Sequence, residues 1–232
     1  MNSGYYARWA DCTRAVYEAA LSELQSYEVD VLGYKLIVNP GVFSPKYCAN
    51  SAYFADYLRK IAVGKSLLDM GTGAGVAAVI CALEGAKRVV ATDINVEAVE
   101  NCRINVKAYE LSNVRVRQGD LFGPIPTHSW FDLIYWNHPF NYTSEPVRHP
   151  MFMAGFDYKY KSIRKFIREA KKHLLPDGKV ILGSGSFARE DIILKTAMRE
   201  GYSVRVVARE NTALWQNRDD KAELIIYEMT QR

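Results

Sequence analysis

No apolar run in the chain approaches the ~20 residues needed to cross a bilayer. The first residues, Met1-Asn2-Ser3-Gly4-Tyr5-Tyr6-Ala7-Arg8, lack the basic start and apolar stretch of a secretory leader. No membrane partner and a cytoplasmic location are the expectation. Cysteine is scarce: Cys12, Cys48, Cys81 and Cys102 are the four present. None stands in a C-x-x-C pair or near a His at ligand spacing, which excludes a zinc or redox motif and leaves no metal site to expect. The thiols read as reduced and mostly buried. Charge of one sign is not in excess: the net charge of +4 neither demands nor forbids an anionic partner. Repeats and low-complexity segments are absent as well. What remains is an ordinary globular composition, 49% apolar over 232 residues, enough for a sizeable core without metal or disulfide support.

The apolar spacing predicts a helix over 5–26, with Tyr6, Trp9, Thr13, Val16, Ala20 and Leu24 on one face. Two alternating runs around Gly33, within Val29–Val38, predict a hairpin, followed by turn chemistry at Asn39-Pro40-Gly41 and a helix over 50–62. From Lys65 strands and helices alternate. Strands are expected at Ser66–Met70, Arg88–Thr92, Val114–Gln118, Phe131–Trp136 and Lys179–Gly183. Helices are expected at Val76–Glu84, Asn95–Ala108, Asp157–Leu175 (ended by Pro176-Asp177-Gly178) and Arg189–Glu200. Two last strands, Ser203–Arg209 and Ala222–Glu228, follow without a helix and must pair antiparallel. The predicted fold is α/β: a Rossmann-like, mostly parallel seven-stranded sheet with an antiparallel C-terminal hairpin and helices on both faces. Residues 1–62 form an N-terminal helix and hairpin appendage, facing substrate or acting as a lid; residues 63–232 form the ligand-binding catalytic domain.

Ligands of open α/β sheets bind beyond the carboxyl ends of the strands. The run Leu68-Asp69-Met70-Gly71-Thr72-Gly73-Ala74-Gly75 lies at such an end and opens a helix. Its spacing is G-x-G-x-G; a dinucleotide fingerprint starting at Gly71 would need a third glycine at position 76, which is Val. Asp69 is poorly placed for a pyrophosphate and well placed for an ammonium group. Asp93 ends the second strand, where a carboxylate can accept both ribose hydroxyls. Asp120 follows the third strand, where an adenine amino group would lie. A helix cap or strand-end turn would account for each acid alone. Three acids after three successive strands point instead to a phosphate-free, cationic nucleoside, S-adenosylmethionine.

On these residues the chain resembles the class I S-adenosylmethionine-dependent methyltransferases from Lys65 to the C-terminus. It is most similar to the small-domain group that contains the glutamine N5-methyltransferases of release factors. The segments that carry the resemblance are LLDMGTGAG, VVATDINVEAVENCRINVKAYEL, VRQGDLF and WNHPF, with Asn39–Pro45 similar to the family's lead-in to the catalytic domain. The resemblance implies that Asp69, Gly71, Gly73 and Gly75 line the methionine end of the cofactor, that Asp93 holds the ribose and that Asp120 lies beside the adenine. The full cofactor set is then Asp69, Gly71, Thr72, Gly73, Gly75, Asp93, Ile94, Asp120, Leu121 and Asn137.

Trp136-Asn137-His138-Pro139-Phe140 matches the family's N-P-P-[YF] motif, with His138 in place of the first proline. Asn137, His138, Pro139 and Phe140 are the catalytic candidates. An Asn oxygen and a backbone carbonyl accept the two protons of a planar amino group, and an aromatic ring packs on its face. The effect is one of positioning. Pro139 still forces residue 138 toward extended geometry, so the carbonyl survives the change. The His138 ring either points away, or marks a different acceptor or helps remove a proton from an ammonium nucleophile.

The stretch Phe140–Tyr160 reads as a long loop with Phe140, Tyr142, Met151, Phe152, Met153, Phe156, Tyr158 and Tyr160. Those rings either bind a cation or plug a hydrophobic gap. The N-terminal helix, with Tyr5, Tyr6, Trp9 and Tyr17, could close over the same mouth. The basic face of the following helix (Lys159, Lys161, Arg164, Lys165, Arg168, Lys171, Lys172) reads first as a solvated surface and otherwise as a site for RNA or a ribosomal surface. Three functions compete. The first is an N-methyltransferase acting on an amide, amine or base nitrogen of a small molecule, peptide or protein, with nucleic acid left open. The second is a cyclase or lyase of the same fold, resembling azetidine-2-carboxylate synthases, that releases methylthioadenosine. The third, a non-catalytic binding subunit, fits poorly with near-complete cofactor motifs.

Overall fold

A computed structural model of the chain describes residues 3–213 and 221–232. Met1 and Asn2, which open the N-terminal segment read above, and the 214–220 loop between the last two strands lie outside the described residues. Helix α1 (Ser3–Leu21) is followed by the hairpin β1 (Tyr27–Val31) and β2 (Tyr34–Val38) and by α2 (Asn50–Ile61). The alternating part runs β3 (Ser66–Met70), α3 (Val76–Leu83), β4 (Arg88–Asp93), α4 (Val96–Ala108), β5 (Val114–Gln118) and β6 (Phe131–Asn137). Then come β7 (Asn141–Thr143), α5 (Pro150–Met153), β8 (Phe156–Tyr158), α6 (Lys161–Ala170), β9 (Leu174–Gly185), α7 (Glu190–Arg199), β10 (Tyr202–Ala213) and β11 (Lys221–Gln231).

Among the described residues the central sheet has seven strands in the order β10-β11-β9-β6-β3-β4-β5. Strands β3, β4, β5, β6 and β9 are parallel to their neighbours in that group, and β11 runs antiparallel between β9 and β10. Strand β3 pairs β4 on one side and β6 on the other, so the strand order reverses there and opens a crevice at its carboxyl end. Every residue of β3 is buried and α3 is buried almost throughout, as expected of a parallel sheet covered on both faces.

The N-terminal segment is joined to the sheet by an unusual ladder. Asn101 and Asn105 on α4 and Tyr109 at its C-cap, spaced by four, bond to the backbone of β2 and of Asn39 just after it. Asn105 Oδ1 accepts from Ile37 N at 2.8 Å, and its Nδ2 donates to Ile37 O at 2.8 Å. Asn101 Oδ1 accepts from Asn39 N at 2.7 Å, and its Nδ2 donates to Ile37 O at 2.7 Å. Tyr109 Oη accepts from Lys35 N at 2.9 Å and donates to Lys35 O at 3.0 Å. Behind the ladder Val31 and Leu36 pack with Ala55, Val76, Val79 and Ile80.

Five expectations need correction. The first helix ends at Leu21 and Leu24 is 86% exposed, so the apolar stripe stops one turn earlier than the spacing suggested. The helix expected at 157–175 is only Lys161–Ala170 plus a 3-10 turn at Lys171–His173. Lys159 and Tyr160 have φ of 52° and 51°, which no helix admits. Buried Asp157 instead accepts from Ser162 N at 3.1 Å and Ile163 N at 2.9 Å, holding the helix start from outside. Ile163, Phe166, Ile167 and Ala170 do form the buried stripe. Pro176-Asp177-Gly178 lies inside β9 as a bulge: the register jumps from Phe131↔Leu174 to Leu133↔Lys179. A side chain at Gly178 would sit 2.8 Å from Phe131 O, so the bulge needs glycine. Finally, the 140–160 loop is built around a small parallel pair, β7 and β8, with the one-turn helix α5 between them. The last two strands also run several residues beyond their expected ends.

Candidate active site

The crevice at the end of β3 brings together most of the residues read from the motifs. Asp69, Gly71, Thr72, Gly73, Asp93, Ile94, Asp120, Leu121, Asn137, His138, Pro139 and Phe140 line one cleft. The register places Met70 beside Thr92 on one side and Trp136 on the other, so the glycine loop, the end of β4 and the Asn137 motif meet at one level.

The three glycines do different jobs. All have positive φ (65°, 56° and 89° for Gly71, Gly73 and Gly75). A Cβ at Gly71 would lie 2.9 Å from Trp136 Nε1, and one at Gly75 would lie 2.8 Å from Cys102 Sγ. Those two let the protein pack on itself; Gly75, though expected in the cofactor set, sits behind the cleft as the N-cap of α3. Gly73 has nothing within 4 Å of its Cβ position and lines the cleft, so it is where a ligand can approach the backbone. The loop is tied down by Thr72 N donating to Thr92 O (2.9 Å), Gly73 N donating to Asp93 Oδ2 (2.9 Å) and Asn105 Nδ2 donating to Ala74 O (2.8 Å).

Asn105 therefore links the hairpin and the glycine loop, a role the sequence reading missed. Asn105→Ala should strand Ile37 N and Ala74 O, at roughly 1–3 kcal/mol each. Melting curves should show a lower Tm and also a smaller rise on adding S-adenosylhomocysteine. Asn101→Ala, which touches only the hairpin and its lead-out, should lower Tm but keep the full ligand-induced rise.

The acids differ in state. Asp69 is 1% exposed; burial pushes its carboxyl up to about 7, the charge on Asp93 adding to the rise and a 2.6 Å bond from Thr72 Oγ1 opposing it. Burial also raises Asp93, opposed by backbone donors that include Asn95 N at 2.9 Å and Gly73 N. Asp120 lines the cleft, but its carboxylate is exposed and accepts from Lys165 Nζ of α6 at 2.6 Å. Ile94, 43% exposed, offers an apolar face at the same end. The cleft fits S-adenosylmethionine: it offers the buried Asp69, the half-buried Asp93 and an open backbone at Gly73, and its described lining residues include no lysine or arginine for a phosphate.

At the other end Asn137 Oδ1 is buried and finds no partner among the described residues. The His138 ring is also buried, with Nε2 3.0 Å from Ser184 Oγ and with Trp136, Phe140 and Tyr160 around it. Burial holds its pKa down to about 3, so the ring is neutral at physiological pH. Tyr160 Oη donates to Phe140 O and accepts from Arg189 N, fixing the backbone after the motif. Of the rings in the 140–160 stretch, Phe156 and Tyr160 are buried in packing and Tyr142 is exposed; from the set singled out in the sequence only Phe140, Met151 and Met153 line the cleft. Helix α1 contributes Thr13 and Tyr17 to the lining; Asn50 and Asn141 also join it, which the sequence did not single out.

Comparison with known proteins agrees with this geometry. The model of the methyltransferase small domain family matches residues 33–212. A Methanocaldococcus jannaschii protein, provisionally named a protein N5-glutamine methyltransferase, is 29% identical over 78% of this chain and 91% of its own length. A Photobacterium profundum ribosomal RNA small subunit methyltransferase C is 26% identical over 82% of this chain and 52% of its own length. A bifunctional methyltransferase of Rickettsia felis is 30% identical, but the chain spans only 29% of it. In fold the chain is similar to the Thermus thermophilus 16S rRNA N2 G1207 methyltransferase solved with S-adenosylmethionine and guanosine (TM-score 0.65, 20% identity, 90% of this chain and 50% of that one).

The sheet and its crevice define a class I S-adenosylmethionine-dependent methyltransferase. The chain belongs to the methyltransferase small domain family.

Proposed function

We propose that the chain is an N-methyltransferase whose acceptor is the nitrogen of an amide, amine or base held by Asn137-His138-Pro139-Phe140. The observation that carries this is Asn137 Oδ1, a buried acceptor with no partner among the described residues, on a residue that lines the same cleft as the glycine loop. Burying an acceptor unpaired is unfavourable by roughly 1–3 kcal/mol, and an incoming N–H relieves it. S-adenosylmethionine supplies an electrophilic methyl group on a sulfonium. Asp69 would hold its amino group and Asp93 its ribose hydroxyls, with Ile94, Leu121 and Asp120 on the adenine side. Asn137 Oδ1 and the His138 carbonyl take the two N–H protons and Phe140 packs on the acceptor plane, so the lone pair is aimed at the methyl group. A ring that protonates only near pH 3 is a poor base, so His138 acts through its backbone.

The cyclase of the same fold is the alternative that the test must separate. Mass spectrometry of pure protein with S-adenosylmethionine alone separates the two. A mixture that stays unchanged until an acceptor is added, and then yields S-adenosylhomocysteine with an N-methylated product, is the expected result. Methylthioadenosine released without acceptor would sink N-methylation.

A further inference from the structure

The two ends of the cleft differ in chemistry. The outer, cofactor end carries Asp69, Asp93 and Asp120; among the described lining residues no lysine, arginine, aspartate or glutamate faces the inner end. Its walls are Thr13, Tyr17, Asn50, Asn141, Met151 and Phe187. The ionisable groups there are neutral: burial, with the nearby Cys48 adding to it, pushes the Tyr17 phenol up, and burial holds His138 unprotonated. A phosphate or carboxylate entering this chamber would meet no cationic side chain, and an ammonium no anionic one. Unpaired charge in such surroundings is strongly disfavoured, whereas a neutral polar group finds hydroxyl and amide partners.

The chamber is also roofed. Trp9 of α1 stacks on Phe187 with centroids 4.6 Å apart and planes 9° from parallel. One turn on, Thr13 Oγ1 accepts from Asn141 Nδ2 at 3.0 Å. One further turn on, Tyr17 packs against Phe43 and Phe152, and its ring is what a side chain at Gly155 would strike, at 2.8 Å. Three successive turns thus pin α1 across the acceptor end and set Asn137 back from the outer surface, where a folded protein or an RNA helix would lie.

We propose that this chamber takes a small, uncharged organic molecule whose flat amide or ring nitrogen enters beneath α1 to reach Asn137. The proposal rests on the N-methylation reading, but its test reads binding without turnover, so the two fail separately. The probes are benzamide, benzoate and benzylamine, alike in size and different in charge, presented to protein loaded with S-adenosylhomocysteine and read by saturation-transfer NMR. Benzamide should show transfer, with benzoate and benzylamine weaker by about ten-fold or more. Ala154→Trp, at an exposed rim position beside Gly155, should cut the benzamide signal while leaving the S-adenosylhomocysteine-induced rise in Tm unchanged. Transfer to benzoate or benzylamine equal to that of benzamide, no transfer to benzamide, or an Ala154→Trp signal equal to wild type would overturn the proposal. So would methyl label from S-adenosylmethionine appearing in the RNA or protein fraction of a cell extract.

Discussion

Asn137→Ala should lower turnover by about 10²–10³-fold, the loss seen when one preorganised polar contact to the reacting group is removed. It should do so without loosening the cofactor: the rise in Tm caused by S-adenosylhomocysteine should match wild type, because Asp69, Asp93 and the glycine loop are untouched. Stability is the sharper test. The side-chain oxygen is buried and unpartnered, so deleting it removes a standing penalty of about 1–3 kcal/mol and creates a cavity of comparable cost. The two offset, and the melting temperature of the ligand-free protein should barely move. A variant that keeps full rate would show that Asn137 does not position the acceptor. A variant that melts much lower would show that the oxygen has a partner after all.

Asp69→Asn should abolish the S-adenosylhomocysteine-induced rise in Tm and at the same time make the ligand-free protein more stable at pH 8. Burial holds the native carboxyl at about 7, against an ordinary value of 3.8. The native state therefore binds more protons than the unfolded chain between those two values. Stability is present below about pH 4 and is lost as pH rises toward 7. At 1.36 kcal/mol per pKa unit the full loss is about 1–4 kcal/mol after discounting. For a chain of this size that corresponds to a few degrees, at about 2–4 °C per kcal/mol. Asparagine keeps an acceptor for Thr72 and carries no charge, so its advantage should be present at pH 8 and gone near pH 4. The wild-type affinity has the matching sign. An ammonium ligand needs the carboxylate, so binding should strengthen as pH rises through 7, with proton release below it, and weaken again once the ligand's own ammonium deprotonates. Flat wild-type affinity from pH 5.5 to 8 would show that Asp69 does not meet a cation.

The parallel half of the sheet was legible because its signals are local. Ser66–Met70 is a short strand carrying Leu67, Leu68 and Met70 ahead of a glycine turn, Asn95 is a good cap, and Asp93 and Asn137 fall at strand ends that any such topology brings together. Reading failed where a tertiary contact overrules a local pattern. The amphipathic spacing around residue 160 continues through Lys159 and Tyr160, whose left-handed backbone is set by the buried Asp157 carboxylate and the Tyr160 bonds to Phe140 and Arg189. Pro176-Asp177-Gly178 looks like a stop, yet pairing with β6 draws it into a strand. Asn101 and Asn105 were invisible because their partners on the hairpin lie more than 60 residues earlier, and an asparagine inside a helix looks like any solvent-facing residue. Thr13 was read only as part of a helix face, while Tyr17 was expected to close over the mouth; the folded chain puts both in the cleft lining.

The asparagine ladder has a practical consequence for anyone shortening this protein. A fragment starting near Lys65 would keep every strand of the main sheet and look self-sufficient on paper. It would nevertheless leave three polar side chains of α4 without their backbone partners and strip the cover from Val76, Val79 and Ile80. Such a fragment is destined for inclusion bodies, not the crystallisation tray, because the leading hairpin serves the parallel sheet as an outer rind.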